Sequence, residues 1–245
     1  MRPNGVKQPS ERKGPQGMSN PDLIPPVNPL PPLVVALFAA IMGIECVFLL
    51  ANQGVIGGPG GVGWRLAAIQ TYAFSGDIFD WMVATGRWPG EHLIRFVSYP
   101  FVHASFTQAI IAGVILLAMG KMVGEVFGQV AMLILFVLSG IGGALAYAVL
   151  MNDPVPLIGA FPPVYGLIGG FTWLLWRQQA MIGANQARAF TLIGFLMGFQ
   201  LLFALLFGSH NEWIADLAGF ACGFGLSFVL APGALARMRR RVRRD

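Results

Sequence analysis

Charge is scarce in this chain: Asp, Glu, Lys and Arg supply 11% of its 245 residues, against 56% hydrophobic residues. A soluble domain carries roughly a quarter charged residues. So few charges cannot coat a surface that faces water on every side, which excludes a soluble globular protein. Cysteine is scarcer still. Cys46 and Cys222 both fall inside apolar runs, where a thiol is a small packing group, and neither belongs to a ligand-spaced cluster. No disulfide, metal site or cofactor is expected. The first residues are not expected to act as a cleavable signal peptide. Residues 1–32 are polar and proline-rich, with Pro25, Pro26, Pro29, Pro31 and Pro32 in quick succession. They predict a disordered cytoplasmic tail that ends in a stiff, extended approach to a membrane.

What the chain does have is six apolar runs, at 33–51, 100–120, 127–151, 159–176, 188–207 and 212–230. About 20 apolar residues cross the hydrocarbon of a bilayer, so the reading is an all-α membrane protein with six transmembrane helices over residues 33–230. The fourth run is short, as suits a helix that starts part-way into the bilayer inside protein. With the N-terminus inside, the inner segments hold Arg2, Lys7, Arg12, Lys13, Lys121, Arg177, Arg188 and six arginines of the tail 231–245 (Arg237, Arg239, Arg240, Arg241, Arg243, Arg244). The outer segments hold Arg65, Arg87 and Arg95. This positive-inside bias places both termini in the cytoplasm, which requires an even number of spans. The arginine tail follows directly on an apolar run, so anionic lipid headgroups are its expected partners rather than nucleic acid. The pattern suits a bacterial inner (plasma) membrane. The outer loop 52–99 mixes sparse charges with Trp64, Phe74, Phe79, Trp81 and Trp88, the composition of a segment lying in the headgroup layer.

Small residues recur every four positions in the last run, at Ala215, Gly219, Gly223 and Ser227, and cluster in the fourth at Gly166, Gly169 and Gly170. Such faces let helix backbones approach closely in lipid, so the fourth and sixth spans are expected to pack together.

Several short stretches stand in a fixed order on these runs. His103 to Gln108 (His-Ala-Ser-Phe-Thr-Gln) opens the second, and Gly120 with Glu125 closes it. Ser139-Gly140-Ile141-Gly142-Gly143 lies in the third, Gly159-Ala160-Phe161-Pro162-Pro163-Val164-Tyr165-Gly166 opens the fourth, and Ala215-Asp216-Leu217-Ala218-Gly219 lies in the last. Together they resemble the rhomboid family of intramembrane serine proteases. The resemblance implies a six-helix rhomboid bundle, with Gly159, Gly166, Gly219, Gly223 and Glu125 as motif and packing positions.

In that family a serine at the head of the fourth span attacks a peptide bond, a histidine on the sixth takes its proton, and a histidine and an asparagine on the second help hold the oxyanion. This chain departs at each post. Phe161 stands for the serine, Asp216 for the base histidine, Gln108 for the oxyanion histidine and Ala112 for the asparagine. A serine hydroxyl is a weak nucleophile without an adjacent base, and the developing charge needs fixed donors, so no catalytic residue is assigned. The implied role is a pseudoprotease that binds transmembrane segments of client proteins without cleaving them, in a cleft formed by His103, Gln108, Phe161, Tyr165 and Asp216.

Two alternatives stay open. One is an active rhomboid-type endopeptidase with a non-standard site, for which Ser105 beside His103, or Ser139, are the candidate hydroxyls. Ser139, in a packing motif, reads as core. The other is a small transporter using the intramembrane acids Glu45 and Asp216, since ionisable residues at that depth merit a functional hypothesis. Asp216 shares a helix face with Gly219, Phe220 and Gly223, and Tyr165 or Gln108 is its expected hydrogen-bond partner. Glu45 is expected to bond to a facing helix, and His210 and Glu212 to lie on the surface of an outer loop.

Overall fold

The computed structural model describes residues 29–151, 154–207 and 212–231. Most of the N-terminal tail, His210 and the C-terminal arginine cluster lie outside the described residues. Ten α-helices follow in order: α1 (Pro32–Asn52), α2 (Trp64–Tyr72), α3 (Gly76–Thr85), α4 (Gly90–Leu93), α5 (Arg95–Ser98), α6 (Phe106–Phe127), α7 (Gln129–Leu150), α8 (Phe161–Met181), α9 (Thr191–Phe207) and α10 (Glu212–Leu230). Short 3-10 turns precede α2, α6 and α9. Extended pairing among the described residues is confined to an isolated antiparallel bridge between Phe74 and Leu157.

Four helices, α1, α6, α7 and α10, are long and apolar enough to cross a membrane. Their outward faces carry bare apolar side chains such as Val114, Val130 and Val149, a surface that suits lipid and not water. This is an all-α integral membrane protein. The fourth and fifth apolar runs fold as α8 and α9. Residues Pro162 to Gly170 of α8 are buried without a break, so protein surrounds this part of the helix and its sequence needs no lipid-facing hydropathy. In α9, 17 residues are helical.

The second span starts later than its hydropathy suggests. Pro100 sits in a 3-10 turn, and α6 begins at Phe106 because Ser105 caps it, its Oγ accepting from the Gln108 N–H at 3.2 Å. A local cap of this kind satisfies one of the free donors of the first turn and is invisible to an apolar count. α6 and α7 are separated by one residue, Gly128, at φ 88°, a conformation that glycine adopts without penalty.

The centre of the bundle is α7, α8 and α10, held backbone to backbone. A Cβ at Gly219 would collide with the Pro162 carbonyl, one at Gly223 with the Gly166 carbonyl, one at Gly169 with the Phe220 carbonyl, and one at Gly166 with the Ser139 side chain. The expected close packing of the fourth and sixth spans is therefore present, and Ser139 is fully buried within it. Gly120 lies against Val34 of α1. Glu125 is exposed and lies 4.0 Å from Lys121, one turn away.

The segment between α1 and α6 folds as the short helices α2 to α5. Phe74, Met82, Phe96 and Tyr99 point inward and form a second core with Tyr147, Ala148 and Leu157. Trp64, Trp81 and Trp88 of the same segment are exposed.

Candidate functional site

The site is built around the start of α8. The chain reaches it through a strap fixed by backbone bonds: Phe74 and Leu157 exchange N–H···O bonds of 3.1 and 2.8 Å, and the Gly159 N–H donates to the Tyr99 carbonyl at 3.1 Å. Gly159 turns the chain at φ 89°, and a Cβ there would press on Gln108 Nε2 at 3.3 Å and His103 Cδ2 at 3.4 Å. Both the turn and the close approach require glycine.

A helix start leaves four N–H groups without intrahelical partners. At α8 these belong to Ala160, Phe161, Pro162 and Pro163. The Ala160 N–H donates to His103 Nε2 at 3.2 Å. Pro162 and Pro163 have none to give. Phe161 alone could offer a donor to an anion here.

His103 is fully buried. Burial, then the nearby Arg65 guanidinium, lowers its pKa to about 4, so the ring is neutral and its Nε2 lone pair is committed to Ala160. Its carbonyl accepts from Arg65 at 2.6 Å, and Arg65 also grips Glu45 with two bonds of 3.0 and 2.8 Å. Glu45 on α1 thus bonds to a neighbouring helix, and that helix is α2 of the outer loop. Ser105 is occupied as the α6 cap, and no hydrogen bond joins it to His103 among the described residues. Gln108 Oε1 accepts from the Ala104 N–H at 2.8 Å. Ala112 is buried in the main core.

A cavity of about 340 Å³ opens between α6, α8, α9 and α10. Phe161 and Tyr165 line it from α8, Phe199 and Gln200 from α9, and Glu212 and Asp216 from α10. Of the five residues expected to form one cleft, Phe161, Tyr165 and Asp216 are brought together here. His103 and Gln108 are not among its lining residues; they brace Gly159 and Ala160. Asp216, 2% exposed, accepts from Gln200 Nε2 at 2.8 Å, and Tyr165 donates its hydroxyl to Gln200 Oε1 at 3.3 Å. The partner of Asp216 is therefore neither Tyr165 nor Gln108 but the amide that joins it to Tyr165. Gln200 was detectable in the sequence as the one amide of α9. Glu212, expected on a loop surface, opens α10 and faces the cavity, because the helix begins at that residue. A larger groove of about 550 Å³ between α1 and α2, walled by Gly43, Val47, Phe48 and Tyr72, offers almost nothing polar.

As chemistry, the cavity presents an aromatic ring at the head of α8 and a carboxylate on α10 held by an amide. An imidazole and a hydroxyl in mutual hydrogen-bond reach are absent from its described lining residues. This sparse apparatus sits on a scaffold with clear relatives. Residues 90–233, from α4 through the end of α10, match the Rhomboid domain family. RHOMBOID-like protein 4 of Arabidopsis thaliana is 27% identical over 141 residues, 58% of this chain and 35% of that protein. RHOMBOID-like protein 1 of the same plant is 30% identical over 135 residues, 55% of this chain and 34% of that protein. Putative rhomboid protease YdcA of Bacillus subtilis (strain 168) is 24% identical over 147 residues, 60% of this chain and 69% of that protein. The matched region thus spans about a third of the length of the two plant proteins. With more than half of its length matching the family, on a helical bundle of the expected order, the chain belongs to the rhomboid family.

Proposed function

We propose that this protein is a non-proteolytic rhomboid that binds transmembrane segments of client membrane proteins in the cavity between α6, α8, α9 and α10. The observation that carries this reading is the start of α8. Where acyl transfer needs a hydroxyl, a base and fixed donors, the chain has the ring of Phe161, two prolines without N–H groups, and an Asp216 tied to Gln200. The apolar walls and few polar groups of the cavity suit a helix arriving from lipid. In this reading the spans number six, both termini are cytoplasmic, and the exposed tryptophans of the α2–α5 segment rest in the headgroup layer. A bacterial inner membrane is the proposed location.

The test is a purified preparation of the full chain in detergent, given a single-span reporter protein. The reporter is expected to stay intact over any incubation. Cleavage that disappears on Ser105→Ala or His103→Ala would establish the non-standard protease instead.

A further inference from the structure

The end of α8 remote from the cavity presents a surface that neither water nor acyl chains satisfy. α8 runs 21 residues from Phe161 to Met181, about 30 Å at 1.5 Å per residue, so its last turn lies toward the opposite face of a bilayer from its first. There Met181 and Ile182 are 74% and 73% exposed, the barest large apolar side chains among the described residues. Local bonds fix the turn that carries them. Gly183 ends the helix at φ 67°, and the Ala184 N–H closes back on the Gln179 carbonyl at 3.0 Å. The Asn185 side chain accepts from the Ala187 N–H at 2.9 Å, and the Thr191 hydroxyl donates to the Arg188 carbonyl at 2.9 Å. A turn pinned in this way holds both apolar side chains outward.

Two arginines frame them. The Arg177 guanidinium sits 5.2 Å from the centre of the Trp173 ring, a contact that steadies the head and leaves its charge intact. Arg188 is exposed. Neither forms an ion pair with a described residue, and residues 154–211 contain no Asp or Glu. Glu125 lies near the end of α6, where Phe127 touches Trp173, and has Lys121 4.0 Å away. Water suits the arginines but not Met181 and Ile182, and the acyl interior suits the reverse. The headgroup layer of a membrane containing anionic phospholipid serves both. We propose that the turn between α8 and α9 is a docking surface for anionic phospholipid. Met181 and Ile182 enter the boundary between headgroups and acyl chains, and Arg177 and Arg188 bind lipid phosphates. A soluble phosphate would meet the arginines and leave the two apolar side chains in water. The surface is distinct in sequence from the arginine-rich tail, and it does not rest on the client-binding reading.

The test uses the full chain in phosphatidylcholine bilayers, with Cys46→Ser and Cys222→Ser so that Ile182→Cys alone takes a bimane fluorophore. Phosphatidylglycerol or phosphatidylcholine carrying a nitroxide near the headgroup is added as a minor component. The fluorophore is expected to be shielded from aqueous iodide and quenched by both lipids. Phosphatidylglycerol is expected to be enriched about fivefold around it, the effect of one arginine at an anionic lipid surface. In Arg177→Gln/Arg188→Gln the enrichment is expected to vanish, and in Arg177→Lys/Arg188→Lys to remain. Shielding from iodide in both variants would show that the turn keeps its fold. Free access of iodide in the unmodified turn would overturn the proposal, as would equal quenching by the two lipids. Enrichment that survives the Gln substitutions would assign it to the C-terminal arginines and overturn the site. Loss of the enrichment on adding soluble glycerol phosphate would identify a free phosphate as the ligand and overturn lipid docking.

Discussion

At the scale of single residues, the proposed absence of proteolysis rests on more than Phe161 standing where the resemblance implies a serine. Phe161 carries no hydroxyl, Asp216 is tied to Gln200, and Pro162 with Pro163 leave the Phe161 N–H as the one uncommitted donor at the α8 start. Groups that act as a unit are non-additive, so restoring two of them recovers little. The Phe161→Ser/Asp216→His double variant is expected to remain unlabelled by a fluorophosphonate serine probe. Labelling above that of the unmodified chain would show that the donors at the head of α8 suffice after all. His103 gives a second, independent check. Its folded pKa of about 4 lies below the ordinary histidine value of 6.5, chiefly through burial. A group depressed in this way stabilises the fold above the unfolded pKa, and that contribution is lost as the pH falls from about 6.5 toward 4. The loss amounts to about 3 kcal/mol over the whole window. Thermal unfolding in detergent is expected to weaken across that window, and to do so less in His103→Asn, which does not titrate. An imidazole titration midpoint near 6.5 in the folded protein would contradict the buried, neutral ring.

At the scale of elements, the close contact of α8 and α10 follows from chain chemistry that can be read directly. Gly219 and Gly223 recur at the helical repeat, and each meets a backbone carbonyl of α8. The alternating positions of α10 do not share this constraint, and a Cβ at Gly225 would meet open space. Gly223→Ala is expected to cost about 1–3 kcal/mol by overpacking, and Gly225→Ala to leave the midpoint of unfolding unchanged. Equal effects of the two substitutions would show that the backbone contact is not what holds the helices together. The sequence revealed where helices lie but not always where they begin. The α6 cap at Ser105 and the prolines that start α8 depend on local hydrogen bonding and on one-residue shifts that a smoothed apolar pattern cannot register, whereas the last run, 212–230, coincides with α10. The helical fold of the 52–99 segment was equally hidden, since its apolar residues divide between an inward set led by Phe74 and Phe96 and an outward set led by the tryptophans.

At the scale of the whole molecule, membrane character was evident from composition, because so few charges leave no way to clothe a soluble surface. The family was legible from the order of short motifs, several of which are packing sites whose close contacts tolerate little change. The cavity was only half legible. Phe161, Tyr165 and Asp216 could be placed by motif position, but Gln200 sits on a helix with no motif, and its role emerges only when α9 is set beside α10. Glu45 and Asp216, paired above as possible transport groups, serve different regions: one ties α1 to α2, the other lines the cavity.

The measurement that bears most directly on the function is site-specific photo-crosslinking from position 161 of the full chain, reconstituted with a defined single-span reporter and analysed for both adducts and fragments. The expected result is an adduct to the reporter's transmembrane segment, with the reporter full-length and the adduct suppressed by an excess of unlabelled transmembrane peptide. Reporter fragments cut within the membrane segment, or crosslinks to lipid alone, would contradict binding without cleavage.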